Sequence, residues 1–182
     1  LSAEECLYIQ CLGGPQLQPS RSVGPDGKWH LNQIRTSFDF QFLPEHEELT
    51  LKLLQLRLAN AAQLPLSNAE PLILLRYQPG PEYKPHRDHL PPSRHVALQA
   101  GGAGQRLRTV IAYLNEPASG GETLFPLLGK CITPRTGHVL RFDNIDVEHR
   151  PIGDSLHAGA PVNQGLKWIC TLWIRQNALR MP

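Results

Sequence analysis

The sequence lacks the features of a membrane or secreted protein. No apolar run approaches the roughly 20 residues that a membrane-spanning helix needs, and the amino terminus lacks the basic and then apolar pattern of a signal peptide. The four cysteines, Cys6, Cys11, Cys131 and Cys170, form neither a C-x-x-C pair nor a dense disulfide framework. We therefore expect no membrane partner and a reducing, cytoplasmic location. Because the first residue is leucine, we also expect a processed chain or part of a longer protein.

The sequence also lacks a large excess of either positive or negative charge. The chain carries 18 Lys and Arg against 16 Asp and Glu, which gives a formal net charge of +2. No run of lysine or arginine occurs in the sequence, so we expect no nucleic-acid partner. With 182 residues, 41% of them hydrophobic, the chain is long enough for one domain with a sizeable core.

Two helices are predicted in the first third of the chain. The segment Ser2-Ala3-Glu4-Glu5 has the spacing of a capping box, so we expect a helix from there to about Leu12, before Gly13-Gly14-Pro15. A second helix is expected from Pro44 to about Ala62. Its core-facing stripe, which would brace one face of a sheet, consists of Leu51, Leu54 and Leu58.

The later part of the chain has short apolar segments separated by glycine and proline, the pattern of a sandwich or barrel rather than of alternating β-α units. Residues 16–29 are predicted to form a loop or a weak strand pair. Many short antiparallel strands favour a mostly β jelly roll, a double-stranded β-helix, with the N-terminal helices packed on one sheet. The expected strands are Leu72–Tyr77, Tyr83–Asp88, His95–Leu98, Arg108–Leu114, Glu122–Phe125, Lys130–Thr133, His138–Phe142, Ser155–His157 and Leu166–Arg175.

The main chemical motif is His86-Arg87-Asp88. Alternate side chains of an extended segment share a face, so His86 and Asp88 would point to the same side. Far downstream, His157 precedes a small residue and a glycine, where a cofactor could approach closely. Two histidines and one carboxylate form the facial triad that binds non-haem Fe(II) with open coordination positions. The same ligand types also serve hydrolytic zinc, so both metals stay open at this point.

A second signature is the apolar strand that contains Lys167. A lysine in such a strand usually lies at an edge and extends its ammonium to water. Because this strand follows His157 after a glycine-containing turn, the lysine could instead face a pocket and pair with an anionic ligand. The residues that would share its face are Ile169, Thr171, Trp173 and Arg175.

Together these motifs resemble the catalytic domain of the prolyl 4-hydroxylase family, within the Fe(II)- and 2-oxoglutarate-dependent dioxygenases. The resemblance implies one dioxygenase domain over residues 1–182, with residues 1–30 as an N-terminal extension and residues 31–182 as the catalytic core. So many matches in order argue against chance. The matching motifs are Arg35-Thr36-Ser37, Tyr77-x-x-Gly80-x-x-Tyr83-x-x-His86-x-Asp88, Arg108-Thr109 with Tyr113-Leu114-Asn115, Gly120-Gly121-Glu122-Thr123-x-Phe125-Pro126, Pro134-x-x-Gly137, Phe142-x-Asn144, and Ser155-Leu156-His157-Ala158-Gly159-x-Pro161-Val162-x-x-Gly165-x-Lys167-Trp168.

The resemblance implies roles for individual residues. The iron ligands would be His86, Asp88 and His157. Lys167 would anchor the far carboxylate of 2-oxoglutarate. Two further positions match residues that help bind the cosubstrate in the family, and these are Tyr77 and Thr109. Their alternatives are core packing for the tyrosine and simple strand propensity for the threonine. Residues that match the surroundings of the peptide-proline pocket, and that could equally be rim packing, are Tyr83, Trp173, Arg175 and Arg141.

The implied activity is hydroxylation of a peptidyl proline with decarboxylation of 2-oxoglutarate to succinate. The implied cofactors are Fe(II), 2-oxoglutarate and dioxygen, with ascorbate as a reductant, and the implied partner is a protein or peptide that carries proline. The alternatives are a hydroxylase of another amino-acid side chain, of a free amino acid or of a small molecule, a nucleic-acid demethylase, a zinc hydrolase and a non-catalytic jelly-roll module. Demethylases of this class typically anchor the cosubstrate with arginine, whereas this chain has Lys167.

Overall fold

The structure, a computed structural model, describes residues 1–23, 29–31, 37–80, 83–90 and 102–179. Two α-helices lie in the first third of the chain, α1 (Ala3–Gly13) and α2 (Leu49–Ala62). The strands are β1 (Gln18–Pro19), β2 (Arg21–Val23), β3 (Trp29–Leu31), β4 (Ser37–Phe42), β5 (Leu72–Tyr77), β6 (Tyr83–His86), β7 (Arg106–Tyr113), β8 (Ser119–Gly120), β9 (Thr123–Phe125), β10 (Lys130–Ile132), β11 (Val139–Asp143), β12 (His157–Gly159), β13 (Val162–Gln164) and β14 (Lys167–Arg175).

The strands form two main sheets. One has six strands in the order β1-β4-β5-β14-β7-β11, and the other has four in the order β10-β9-β12-β6. From β5 onward the chain passes repeatedly between them: β5, β7, β11 and β14 lie in the larger sheet, while β6, β9, β10 and β12 lie in the smaller one. All pairings between the described strands are antiparallel. This arrangement confirms the predicted mostly β jelly roll, a double-stranded β-helix.

The helices pack on one face of the larger sheet. The predicted stripe of α2 is buried, with Leu51, Leu54 and Leu58 at most 2% exposed, whereas Leu49 and Leu53 on the opposite side are exposed. Each buried leucine contributes about 1.5–3 kcal/mol through removal of apolar surface from water. The stripe joins side chains of the sheet in the main hydrophobic core, which confirms that this helix braces the sheet.

The capping box of α1 is present as predicted. The Ser2 backbone N–H donates to Glu5 Oε2 at 2.7 Å, and the Glu5 N–H donates to Ser2 Oγ at 3.2 Å. The helix ends at Gly13, which is buried against the sheet. A Cβ atom there would lie 2.7 Å from the Leu74 side chain and 2.8 Å from the Phe42 ring, so a larger residue would force these buried side chains to move.

The start of α2 differs from the prediction. Residues Pro44–His46 form a separate 3₁₀ turn, and the α-helix begins only at residue 49. Glu48 adopts an extended backbone and acts as the N-cap, because its carboxylate accepts from the N–H groups of Thr50 at 3.1 Å and Leu51 at 2.6 Å. An acidic side chain at this position satisfies two free amides and suits the positive end of the helix dipole.

Most predicted strands are present with ends shifted by one or two residues. The weak strand pair predicted within residues 16–29 corresponds to β2 and β3. The strand predicted at His95–Leu98 lies outside the described residues. Sequence reasoning missed β1, β4, β8 and β13, and it predicted a strand over Ser155–His157, where the structure has a 3₁₀ turn, Gly153–Ser155, before β12. The missed strand β4 nevertheless has alternating phenylalanines, Phe38, Phe40 and Phe42.

The other face of the larger sheet carries a smaller apolar cluster that includes Ile73, Leu75, Ile111 and Ile169. This face looks toward the four-stranded sheet, and the cavity described below opens between the two sheets. Within the described residues, no helix is both long enough and apolar enough to cross a membrane.

Candidate active site

Three potential metal ligands meet in the cavity. His86 at the end of β6 pairs directly with His157 at the start of β12, so both imidazoles project from one point of the smaller sheet. Asp88 follows β6 by two residues and approaches both rings. The distance from Asp88 Oδ1 to His86 Nε2 is 3.6 Å, and that from Asp88 Oδ2 to His157 Nε2 is 3.8 Å. One ligand atom from each residue lies within 4.8 Å of the others.

The backbone orients both imidazoles for metal binding. His86 Nδ1 lies 2.9 Å from the Lys84 carbonyl oxygen, and His157 Nδ1 lies 2.9 Å from the Ser155 carbonyl oxygen. A carbonyl oxygen only accepts, so each Nδ1 carries a proton, and in the neutral form of each ring Nε2 keeps a lone pair directed at the centre of the triad. Two neutral imidazoles and a carboxylate with this second layer of contacts fit a divalent metal, and the set is the facial triad of non-haem Fe(II).

The electrostatic surroundings keep Asp88 ionised. Burial alone would raise the pKa of this carboxyl, but the positive charges of His157 and His86 in their protonated forms, and the charge of Arg106, hold the pKa below its usual value. A carboxylate must be deprotonated to bind a cation, so this environment suits a metal ligand.

Aromatic rings hold the histidines in place. The ring of Tyr83 stacks on His86 with centroids 3.9 Å apart and an interplanar angle of 27°. On the other side, the rings of Phe142 and Phe125 pack against His157 with centroids at 4.7 and 5.9 Å. Rings packed in this way lose freedom of rotation, so the ligand atoms are held in position before a metal binds.

A buried ammonium lies in the same cavity. Lys167 is 5% exposed, and its Nζ atom lies 5.6 Å from the centre of the Tyr77 ring and 5.8 Å from that of Tyr113. Burial lowers the pKa of Lys167 to about 8, an effect that the charge of Glu122 opposes in part. No carboxylate of the described residues forms an ion pair with it. The side chain therefore faces the pocket rather than bulk water, and an anionic ligand would supply the missing negative charge.

The cavity contains most of the residues that the sequence singled out. Its lining includes the triad, Lys167 and Tyr77, together with the predicted substrate residues Tyr83 and Trp173. The indole of Trp173 is covered by the guanidinium of Arg106, whose Cζ lies 3.6 Å from the ring centroid. The larger apolar side chains of the lining are Leu75, Ile111, Val162 and Ile169.

Thr109 lies in a different place from the one predicted for a cosubstrate residue. Its side chain is fully buried and does not line the cavity. The Thr109 hydroxyl donates to Asp88 Oδ2 at 2.8 Å and lies 2.9 Å from Asn144 Nδ2. The hydroxyl is therefore engaged with the carboxylate of the triad instead of being open to a ligand.

The two arginines predicted near the substrate pocket do not line the cavity. Arg141 pairs opposite Val110, whose side chain belongs to the helix-side core, so it lies on the wrong face of the sheet. Its guanidinium donates to the Ala61 carbonyl oxygen at 2.9 Å, at the negative end of α2. Arg175 follows a β-bulge that interrupts the alternation, and its guanidinium donates to Glu70 at 2.9 Å and to the Gly104 carbonyl oxygen.

Sequence reasoning also missed residues that support the site. Arg106 binds both carboxylate oxygens of Glu70 at 2.7 Å while it covers the indole ring of Trp173. In the sequence, Asn144 stands out only as part of the Phe142-x-Asn144 motif. The structure buries this asparagine fully just after β11, where its amide needs a polar partner. The sequence pattern does not show that burial.

Comparison with known proteins gives consistent matches. A profile described as the 2OG-Fe(II) oxygenase superfamily matches residues 72–175. Prolyl 4-hydroxylase 1 of Arabidopsis thaliana is 33% identical, over 98% of this chain and 67% of its own length. Prolyl 4-hydroxylase 2 of the same plant is 30% identical, over 93% of this chain and 62% of its own length. The chain thus spans about two thirds of the length of these relatives.

Solved structures show the same fold. The viral collagen prolyl hydroxylase of Paramecium Bursaria Chlorella virus-1, in its 2OG complex, superposes with a TM-score of 0.68 at 29% identity and covers 96% of this chain and 91% of its own. A prolyl-4-hydroxylase of Pseudomonas putida superposes with a TM-score of 0.63 at 20% identity, over 98% of this chain and 89% of its own, and shows the likeness of the fold alone.

Proposed function

The chain belongs to the 2OG-Fe(II) oxygenase superfamily, and from this premise we propose that it hydroxylates a prolyl residue of a protein or peptide, with Fe(II), 2-oxoglutarate and dioxygen. The observation that carries the proposal is the meeting of His86, Asp88 and His157 with the buried ammonium of Lys167 in one cavity. A metal triad alone would also suit zinc, but the buried ammonium matches the binding of a second, anionic ligand, and the family match favours Fe(II) with 2-oxoglutarate.

His86, Asp88 and His157 hold the metal. The support is their shared geometry, the neutral tautomer that the backbone selects for both imidazoles, and the ionised state of the carboxylate. Their three ligand atoms leave the remaining positions of the metal open to small molecules. When bound, iron and 2-oxoglutarate would supply the oxidation: 2-oxoglutarate and dioxygen would give succinate and carbon dioxide, with one oxygen atom of dioxygen in the succinate and the other inserted into a substrate C–H bond.

Lys167 binds the far carboxylate of 2-oxoglutarate. A buried ammonium without a carboxylate partner among the described residues gains a charge-assisted hydrogen bond when an anion enters. Tyr77 lies directly opposite Lys167 in the β5–β14 pair, so its ring lies at the same end of the cavity. The apolar side chains of Ile111 and Ile169 on the same wall exclude water from this end.

Tyr83 and Trp173 contribute two aromatic rings to the cavity wall. A pyrrolidine ring is apolar and nearly flat, and such a ring packs well on aromatic faces. Both rings are fixed by neighbours, Tyr83 by stacking on His86 and Trp173 by the guanidinium of Arg106. The named activities of the plant relatives and of the viral structure, prolyl 4-hydroxylase and collagen prolyl hydroxylase, support proline as the substrate residue.

The experiment that tests this proposal is mass spectrometry of proline-rich peptides incubated with the protein, Fe(II) and 2-oxoglutarate. We expect one added oxygen atom on proline, dependent on 2-oxoglutarate and absent both with His157→Ala and with peptides in which alanine replaces proline. Oxygen on a different residue would contradict the choice of proline and support a hydroxylase of another side chain. The role of ascorbate as a reductant stays a prediction, and comparison of the same assay with and without added ascorbate tests it.

A further inference from the structure

The carboxylate of the metal triad is held by a chain of two buried side chains. Thr109 and Asn144 are both fully buried, and Asp88 is 7% exposed. Thr109 Oγ1 lies 2.8 Å from Asp88 Oδ2, and Asn144 Nδ2 lies 2.9 Å from Thr109 Oγ1. All three side chains are buried, so bulk water does not compete for these hydrogen bonds, and the three side chains form a fixed part of the site.

The direction of this hydrogen-bond chain follows from chemistry. An ionised carboxylate only accepts, so the single hydroxyl hydrogen of Thr109 must point to Asp88. The hydroxyl oxygen can then only accept from Asn144, which requires its amide N–H rather than its carbonyl at that contact. The Asn144 amide thus fixes the orientation of the Thr109 hydroxyl, and the hydroxyl holds one oxygen of the Asp88 carboxylate in position. The other oxygen, Oδ1, remains on the side of His86 Nε2, at 3.6 Å.

The backbone of Asn144 leads to a second metal ligand. The Asn144 carbonyl oxygen accepts from the Ile152 N–H at 3.0 Å, and Ser155 Oγ donates to the Ile152 carbonyl oxygen at 2.7 Å. The Ser155 carbonyl oxygen in turn accepts from His157 Nδ1 at 2.9 Å. Asn144 itself is tied to β7, because its N–H donates to the Leu107 carbonyl oxygen at 2.9 Å.

We propose that Asn144 is a positioning residue for the metal triad, acting on Asp88 through the Thr109 hydroxyl. The inference rests on the proposed function, since it assumes that the triad binds a metal. It explains why a polar side chain occupies a fully buried position at the end of β11, where an apolar residue would otherwise pack.

The test is the affinity for Mn(II), used as a stable substitute for Fe(II) and measured by calorimetry on the intact chain. Removal of contacts that orient metal ligands typically weakens metal binding about 10–100-fold, so we expect Thr109→Val to raise the Kd for Mn(II) at least about tenfold. Thr109→Ser keeps the hydroxyl and should stay within about twofold of the wild type. Asn144→Ala leaves the hydroxyl present but free to rotate, and it should give an intermediate loss.

The double variant Thr109→Val/Asn144→Ala gives the sharpest result. If the amide acts on the carboxylate only through the hydroxyl, the double variant binds Mn(II) no more weakly than Thr109→Val alone, and the two effects are not additive. Ser37→Ala is the matched control, because it removes a buried hydroxyl that contacts Ser20 Oγ at 2.8 Å, and it should bind Mn(II) like the wild type.

Two outcomes would overturn the inference. One is that Thr109→Val lowers the unfolding temperature but binds Mn(II) with the wild-type Kd. The hydrogen bonds from Asn144 through Thr109 to Asp88 would then stabilise the fold without orienting the metal ligand. The other is an equal loss in Thr109→Ser and Thr109→Val. If Thr109→Val does not fold, the comparison of Thr109→Ser with Asn144→Ala still decides. A wild-type protein that binds no Mn(II) would remove the proposed function as well, whereas normal wild-type binding with unaffected variants would remove only this inference.

Discussion

Lys167 and Tyr77 lie directly opposite each other in the antiparallel pair of β14 and β5, with the ammonium 5.6 Å from the centre of the phenol ring. Directly opposed residues project from the same face of a sheet, so the pair closes one end of the cavity. The metal triad lies in the facing sheet. A ligand with an anionic group at each end can therefore contact the lysine with one and the metal with the other.

Substitution of Lys167 should separate cosubstrate binding from folding. Lys167→Met removes the charge and keeps the length of the side chain, so we expect the Kd for 2-oxoglutarate to rise about 30-fold or more, as for the loss of one partner of a desolvated ion pair. The unfolding temperature of the protein without ligand should be unchanged or higher, because a buried charge is removed. Calorimetry and thermal unfolding measure the two effects. Lys52→Met, at a half-exposed pair with Glu47, is the control and should leave 2-oxoglutarate affinity unchanged.

The pH dependence of 2-oxoglutarate affinity follows from the same residue. Burial lowers the pKa of Lys167 to about 8 in the protein without ligand. The charged ammonium binds the carboxylate, so affinity should be constant below about pH 8 and should fall by up to tenfold per pH unit above it. Lys167→Arg should bind without this fall, because a guanidinium keeps its charge throughout the range. An equal fall in wild type and Lys167→Arg would show that another group is responsible.

A buried network of one carboxylate and two guanidiniums should contribute strongly to stability. Glu70 accepts from Arg106 at 2.7 Å and from Arg175 at 2.9 Å. Loss of one partner of a buried ion pair costs about 3–5 kcal/mol, and we expect Glu70→Gln to lower the free energy of unfolding in urea by an amount near the low end of that range. Glu47→Gln, at the half-exposed pair with Lys52, should cost less than about 1 kcal/mol.

The same network predicts that the free energy of unfolding depends on pH in the acid range. Burial alone would raise the pKa of Glu70, but Arg106 and Arg175 hold it below its ordinary value of 4.5. Because the folded-state pKa is lowered, the stabilisation is present above pH 4.5 and is lost as the pH falls through the folded-state pKa. The difference in unfolding free energy between wild type and Glu70→Gln should therefore shrink in acid. A difference that does not change between pH 7 and pH 3 would contradict this reading of the network.

The two-residue period of strands explains which parts of the site were predictable. It correctly placed Lys167 and Trp173 on one face, and the cavity shows that this face is the inner one. The same alternation could not say which face of β11 is inner, so Arg141 was assigned to the wrong side. The bulge between Ile174 and Arg175 shifts the register in a way that no local sequence pattern revealed.

The hydrogen-bond partners of buried polar groups could not be predicted from the sequence either. The sequence correctly placed Thr109 in a strand near the site. It could not show that the Thr109 hydroxyl donates to Asp88, because the two residues are 21 positions apart in the chain. The network of Glu70 with Arg106 and Arg175 likewise joins residues that are distant in the chain. Ligand types and their spacing predicted the chemistry of the site, whereas its supporting contacts arise from the tertiary fold.

The central claim is that one metal and 2-oxoglutarate bind together between the two sheets. The most direct measurement is anaerobic addition of Fe(II) and then 2-oxoglutarate, followed by visible absorbance. We predict a charge-transfer band that needs both additions, that is absent in His157→Ala, and that in Lys167→Met requires a higher concentration of 2-oxoglutarate. Absence of the band in the folded wild-type protein, or an unchanged band in His157→Ala, would contradict the account.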